Sequence, residues 1–234
     1  MGELALLGSV ALGPIAILFT IVFLLDRYDR EPLKLLILSF LFGVIIAVPV
    51  VYAEIYLKLA FQITQDDGNS FGTTMLLAFV VVALSEEGFK FLVLRLYAYP
   101  RKAFNEPFDG IMYAVAISMG FAAIENVLYV YGGGLVVGLV RMVTAVPAHG
   151  MFAHLMGYFT GLAKFAEGRG KRIGLLLLGL FLAVLAHGLY DFFLMYDYAA
   201  FSVFSLVVLV VILVLAIRAI RAHRKRSPFR NRPA

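Results

Sequence analysis

Cysteine and tryptophan are both absent from this chain, and only 15% of its residues are charged. Without cysteine there is no disulfide, no thiolate nucleophile and no sulfur ligand for a metal. Any metal or acid–base chemistry therefore rests on histidine, aspartate and glutamate, of which the chain holds 4 His and 15 acidic residues. Also missing are an internal repeat and any Ser/Pro-rich linker, so the 234 residues read as a single domain. Asp191 has no Gly-x-Gly-Asp partner elsewhere in the sequence, which argues against an aspartyl protease of the membrane.

What is abundant is apolar surface. Hydrophobic residues make up 62% of the chain and the mean hydropathy is +0.94, more than a water-soluble core absorbs and typical of polytopic membrane proteins. Runs long enough to span a bilayer lie at 4–25, 33–59, 73–97, 109–131, 135–163, 173–196 and 199–217. The expected fold is an all-α bundle of about seven transmembrane helices. The first run lacks a basic leader and is too long for a signal-peptide core, so it reads as a retained helix.

Charge sets the expected orientation. Arg27, Arg30 and Lys34, then Arg101 and Lys102, then Lys164, Arg169, Lys171 and Arg172 fall in alternate loops. The intervening loops hold Asp66 and Asp67, a Gly132-Gly133-Gly134 run, and Asp197. The positive-inside rule places the N-terminus outside and the C-terminus in the cytoplasm. The net charge of +5 comes mostly from Arg218, Arg221, Arg224, Lys225, Arg226, Arg230 and Arg232. Residues 1–217 thus form the membrane domain, and 218–234 a basic cytoplasmic tail suited to anionic lipid headgroups rather than to nucleic acid.

Against this background Glu86, Glu87 and Lys90 stand out, because they interrupt an apolar run. A charge near the bilayer centre costs roughly 2.5 to 3.5 kcal/mol even on lenient scales, so three within five residues imply a polar cavity. Glu87, Glu125, His149 and His187 lie 13, 16, 15 and 15 residues from Pro100, Asp109, Lys164 and Arg172, at the cytoplasmic ends of their helices. At about 1.5 Å rise per residue, all four sit roughly 20 to 24 Å deep. Two imidazoles, a carboxylate and a water make a catalytic zinc shell, which His149, His187 and Glu125 supply, and Glu86 or Glu87 remains to deprotonate the water. Asp191 follows His187 by four residues and either orients that imidazole or binds the metal itself.

Ordinary explanations stand beside these. Glu86 and Lys90 have ion-pair spacing, which would leave Glu87 as the base. His154 is turned about 140° from His149 and is not expected to be a ligand. His223 belongs to the basic tail, and Glu54 reads as interfacial. Asn126 and Arg141 either hydrogen-bond within the site or lie near the outer surface. Pro49 and Pro147 each remove a helical hydrogen bond and favour a bend.

The set Glu86-Glu87-Gly88-Phe89-Lys90, Gly120-Phe121-Ala122-Ala123-Ile124-Glu125-Asn126, Pro147-Ala148-His149 with Gly157, and His187-Gly188-Leu189-Tyr190-Asp191 resembles the PrsW family over about 110 residues. That family is similar to the type II CAAX prenyl endopeptidases, which carry a histidine where this chain has Glu125. The resemblance implies an intramembrane metalloprotease with Glu86 as leading base, acting on membrane-anchored proteins such as anti-sigma factors. A competing reading from the same residues is a proton- or cation-coupled transporter with a Glu/His relay at mid-membrane.

Overall fold

The computed structural model describes residues 2–26, 28–64, 70–196 and 199–229. Regular structure among the described residues is entirely helical. Helix α1 is Gly2–Leu25 and α2 is Leu33–Ala60. The third helix, α3, covers residues 71–98 and is assembled from Phe71–Met75, Leu76–Ala83, Leu84–Val93 and Leu94–Ala98, the second and fourth of these being π-helical. Then come α4 (Pro107–Val143), α5 (Ala145–Lys164), α6 (Arg169–Met195) and α7 (Ala199–Arg226). Helix covers most of each of the seven apolar runs, but the fifth, 135–163, is broken at Thr144 and its first nine residues belong to α4. Arg27, Asp66, Asp67, Asp197, Arg230 and Arg232, which carried part of the orientation argument, lie outside the described residues.

Five stretches are long and apolar enough to cross a membrane: Leu4–Leu25, Leu33–Ala60, Pro107–Lys164, Arg169–Met195 and Ser202–Arg226. The third is 58 residues long because it doubles back on itself. At Gly134 the backbone takes φ 79° and ψ −172°, outside helical space and in a region open to glycine. Residues 135–143 return antiparallel to the end they have just left, so that Gly138 packs on Val130. The reversal falls on the expected glycine run. A second break follows at Thr144 (φ −119°, ψ −81°), three residues before Pro147, whose missing N–H leaves the Val143 carbonyl without its helical donor. By contrast, α2 runs unbroken through Pro49.

Helix α4 is the axis of the bundle, and its Phe108–Ala123 stretch is buried throughout. Neighbours come close because small residues meet at the crossings. A Cβ at Gly43 of α2 would stand 2.0 Å from the Ile117 carbonyl oxygen, and one at Gly120 of α4 would stand 1.9 Å from that of Phe40. Backbone thus rests on backbone, and α4 and α5 meet the same way at Gly110 and Gly157. Outward faces of α1, α2 and α7 carry exposed Leu, Ile and Val, as a lipid-facing surface requires. Helix α7 continues past residue 217 without interruption, and His223 is buried on it with Nε2 at 2.9 Å from the Tyr158 carbonyl oxygen. It packs the helix end against α5 instead of facing water with the arginines.

Candidate active site

The first part of the site comes from α3. A π-helical stretch, Leu76–Ala83, leads directly into Leu84–Val93. Such wide turns shift the helix face and occur often at functional sites. Here they deliver Glu86, Glu87 and Lys90 into the bundle, where all three are buried. Lys90 lies three and four residues from the two glutamates and bridges both, with Nζ at 2.9 Å from Glu86 Oε2 and 2.9 Å from Glu87 Oε1. Its ammonium also stands 3.3 Å from His149 Nδ1 and 4.2 Å from the centre of the Phe121 ring. Ion-pair spacing therefore does not separate the two glutamates, since lysine takes both. Exposure does separate them: Glu86 lines a cavity, whereas Glu87 is fully enclosed with Oε2 unpartnered among the described residues.

Helices α5 and α6 contribute the imidazoles, which meet edge to face with ring centres 5.5 Å apart. Each is held on one side by a carboxylate. His149 Nε2 is 2.6 Å from Glu125 Oε2, and His187 Nε2 is 3.2 Å from Asp191 Oδ2. Each turns its other nitrogen inward: His187 Nδ1 is 3.1 Å from Glu87 Oε1 and His149 Nδ1 is 3.9 Å from Glu86 Oε2. The Phe152 ring stacks on His187 at 4.7 Å, and the Ser118 hydroxyl donates to the backbone oxygen of His149. Glu86, Glu87, His149 and His187 each offer a ligand atom such that all four atoms lie within 4.8 Å of one another.

Glu125 stands outside that group. Besides His149 it meets Arg141, whose guanidinium Nη2 is 3.0 Å from Glu125 Oε1. Arg141 Nε donates to Asn126 Oδ1 at 2.9 Å, and Asn126 Nδ2 donates to the Ala11 carbonyl at 2.8 Å. Asn126 and Arg141 are thus beside the site. His154 is a helix-packing residue with Nδ1 on the Gly150 carbonyl oxygen, as its angular offset implied. Glu54 joins the wall of the cavity, together with Lys58. A Gly-x-Ser-x-Gly pattern does occur in the chain, at Gly68–Gly72, against the expectation that no such serine element is present. Its Ser70 is exposed at the start of α3 and does not line the cavity, and no strand exists among the described residues to build a serine elbow.

The cavity has a volume of about 980 Å³ and a largely aliphatic and aromatic wall from α2 through α7. Glu86, Glu125, His149, His187 and Asp191 all reach it. Four carboxylates (Glu86, Glu87, Glu125, Asp191) face two fixed cations (Lys90, Arg141), a formal excess of two negative charges with neutral imidazoles. Burial makes such an excess expensive unless a cation or protons offset it.

The comparison with known proteins is decisive at this point. A sequence model described as PrsW family intramembrane metalloprotease matches residues 31–217. The chain belongs to the PrsW family. Protease PrsW of Clostridioides difficile (strain 630) is 38% identical over 177 residues, covering 74% of this chain and 72% of that protein. Protease PrsW of Shouchella clausii (strain KSM-K16) is 37% identical over 184 residues, with 79% and 81% covered. Protease PrsW of Bacillus subtilis (strain 168) is 32% identical over 186 residues, with 80% and 81% covered. No solved structure matches the chain. PrsW membership and the apolar helices make this an integral protein of a bacterial membrane, and membership supports a protease function.

Proposed function

We propose that this PrsW-family protein is a metal-dependent endopeptidase that hydrolyses peptide bonds of membrane-anchored proteins. The observation that carries the reading is the donor set: two imidazole nitrogens and two carboxylate oxygens within 4.8 Å of one another, buried, in a wider site whose formal excess of two negative charges is what one divalent ion would neutralise. Nitrogen and oxygen donors of this kind suit zinc. His149 Nδ1, His187 Nδ1 and Glu87 would hold the metal, which when bound supplies a Lewis acid and a water of lowered pKa. Glu125 was the ligand expected from the sequence. Its engagement with Arg141 and with the far nitrogen of His149 fits it better to orienting that imidazole, as Asp191 does for His187.

Glu86 takes the water's proton in this reading, because it faces the cavity where a substrate strand would lie. Lys90 fixes its carboxylate in place through the 2.9 Å pair. After attack, Glu86 returns the proton to the leaving amide nitrogen, so one group serves as base and then as acid. The apolar wall suits an unwound membrane segment, and a membrane-bound anti-sigma factor is a substrate of this class. With an outside N-terminus the site lies nearer the outer leaflet, and the cut falls on that side.

The test is direct. Protein reconstituted with a single-pass reporter should contain about one equivalent of transition metal, lose cleavage on chelation and regain it with zinc. Active protein free of transition metal would overturn the metal reading, whereas protein that neither holds a transition metal nor cleaves would point to the coupled-transporter alternative.

A further inference from the structure

Arg141 is a part-buried cation to which the scheme above gives no role beyond its pair with Glu125. It sits on residues 135–143, between the glycine reversal at Gly134 and the break at Thr144. Its guanidinium is fixed from three sides. Nε donates to Asn126 at 2.9 Å, Nη2 stands 3.0 Å from Glu125 Oε1, and the Tyr129 ring lies 4.0 Å beneath the guanidinium carbon. Asn126 is itself fastened to the α1 backbone at Ala11. A counter-ion for Glu125 needs only one of these holds. Three of them give a side chain of many rotamers a single orientation.

A guanidinium has five N–H donors. The Nε–H is used on Asn126, and Nη2 is enclosed at ion-pair distance from Glu125 without forming an aligned hydrogen bond. No described protein group accepts from Nη1, and the side chain lines the cavity. One carboxylate connects this cation to the reacting layer, since Glu125 touches Arg141 with one oxygen and His149 Nε2 with the other. Of the fixed cations near the four-residue group, Lys90 is spent on two glutamates, and Lys58 lies across the cavity on α2.

We propose that Arg141 is a catalytic residue that binds the scissile carbonyl oxygen and stabilises the oxyanion formed there, an assignment that rests on the protease reading. When the water oxygen bonds to the carbonyl carbon, the π electron pair moves onto the carbonyl oxygen. The free donors of Arg141 meet that charge in a water-poor cavity, already oriented and at no reorganisation cost. Collapse returns the pair, the C–N bond breaks, and the nitrogen leaves with the proton that Glu86 had taken.

The test compares wild type, R141K and R141Q in proteoliposomes with a single-pass reporter, reading kcat, KM, metal content and thermal midpoint together. An oxyanion role lowers the kcat of R141Q by about 10²- to 10³-fold, with KM, metal content and midpoint close to wild type. R141K, which keeps charge without the fork, recovers part of the loss. R141Q with kcat within tenfold of wild type overturns the proposal, as does a loss that follows metal content, which would make Arg141 a support for His149. Should R141Q fail to fold, E125Q/R141Q removes both ends of the ion pair and is compared with E125Q. A further loss of about 100-fold supports the oxyanion role, and no further loss overturns it. If metal-loaded wild type cleaves nothing, the protease reading falls and this assignment with it. An active wild type beside an unaffected R141Q sinks only the assignment.

Discussion

Replacing Glu86 and Glu87 in turn by glutamine should split two neighbouring carboxylates into different roles. Glutamine keeps the shape of the side chain. In E86Q the amide oxygen still accepts from Lys90, which also retains its 2.9 Å pair with Glu87, so Lys90 is not left unpaired and the fold should hold. The groups assigned to the metal are untouched, while the base is gone. A positioned general base is worth about 10² to 10⁴ in rate, or roughly 3 to 5 kcal/mol at 1.36 kcal/mol per decade. In E87Q the lost charge is the one touching both Lys90 and His187 Nδ1, at 2.9 and 3.1 Å, in a fully enclosed position. Metal retention should fall together with activity. Reporter cleavage by gel densitometry and metal content by mass spectrometry, on the same preparations, read the split. An E86Q protein that keeps more than a tenth of wild-type kcat refutes the base assignment. Metal lost from E86Q but retained by E87Q would exchange the two roles.

Three further outcomes are expected. D191N should weaken metal affinity by about 10- to 100-fold through loss of His187 orientation, measured by competition with a chelating dye. G120L should lower the thermal midpoint and cost about 1 to 3 kcal/mol or more, because even a Cβ there meets the Phe40 carbonyl oxygen at 1.9 Å; a midpoint equal to wild type would contradict the close crossing. At the other end of the bundle, burial raises Asp26 to about 6 and Glu31 to about 7. The folded state then holds protons that the unfolded chain has released, so these two groups make stability fall as pH rises from about 4 to about 7. A thermal midpoint that rises across that interval, or a D26N variant with an unchanged slope there, would show that these carboxyls do not set it.

Depth along a helix was legible because it needs only helix rise. Residue counts alone bring Glu87, Glu125, His149 and His187 to one layer, and in the structure His149 meets Glu125, His187 meets Glu87, and the two imidazole centres are 5.5 Å apart. Azimuth was not legible in the same way. A π-helical stretch at Leu76–Ala83 changes the angle at which everything after it faces the bundle, and nothing in Leu-Leu-Ala-Phe-Val-Val-Val-Ala announces it. For that reason the sequence could not say which of two adjacent glutamates faces the cavity. The ion-pair rule misled for a related reason: Lys90 is within reach of residues three and four positions back, and a buried ammonium surrounded by carboxylates takes both. That Glu54 borders the cavity was not legible either, because position near a helix end says nothing about whether that end borders lipid or a cavity. Arg141 was left undecided because its meaning depends on the reversal at Gly134, which folds residues 135–143 back along α4 and sets the guanidinium beside Glu125, sixteen positions earlier in the chain. Spacing rules see one helix at a time. The charges of this site are balanced across several helices, so their roles become readable only once the helices are packed.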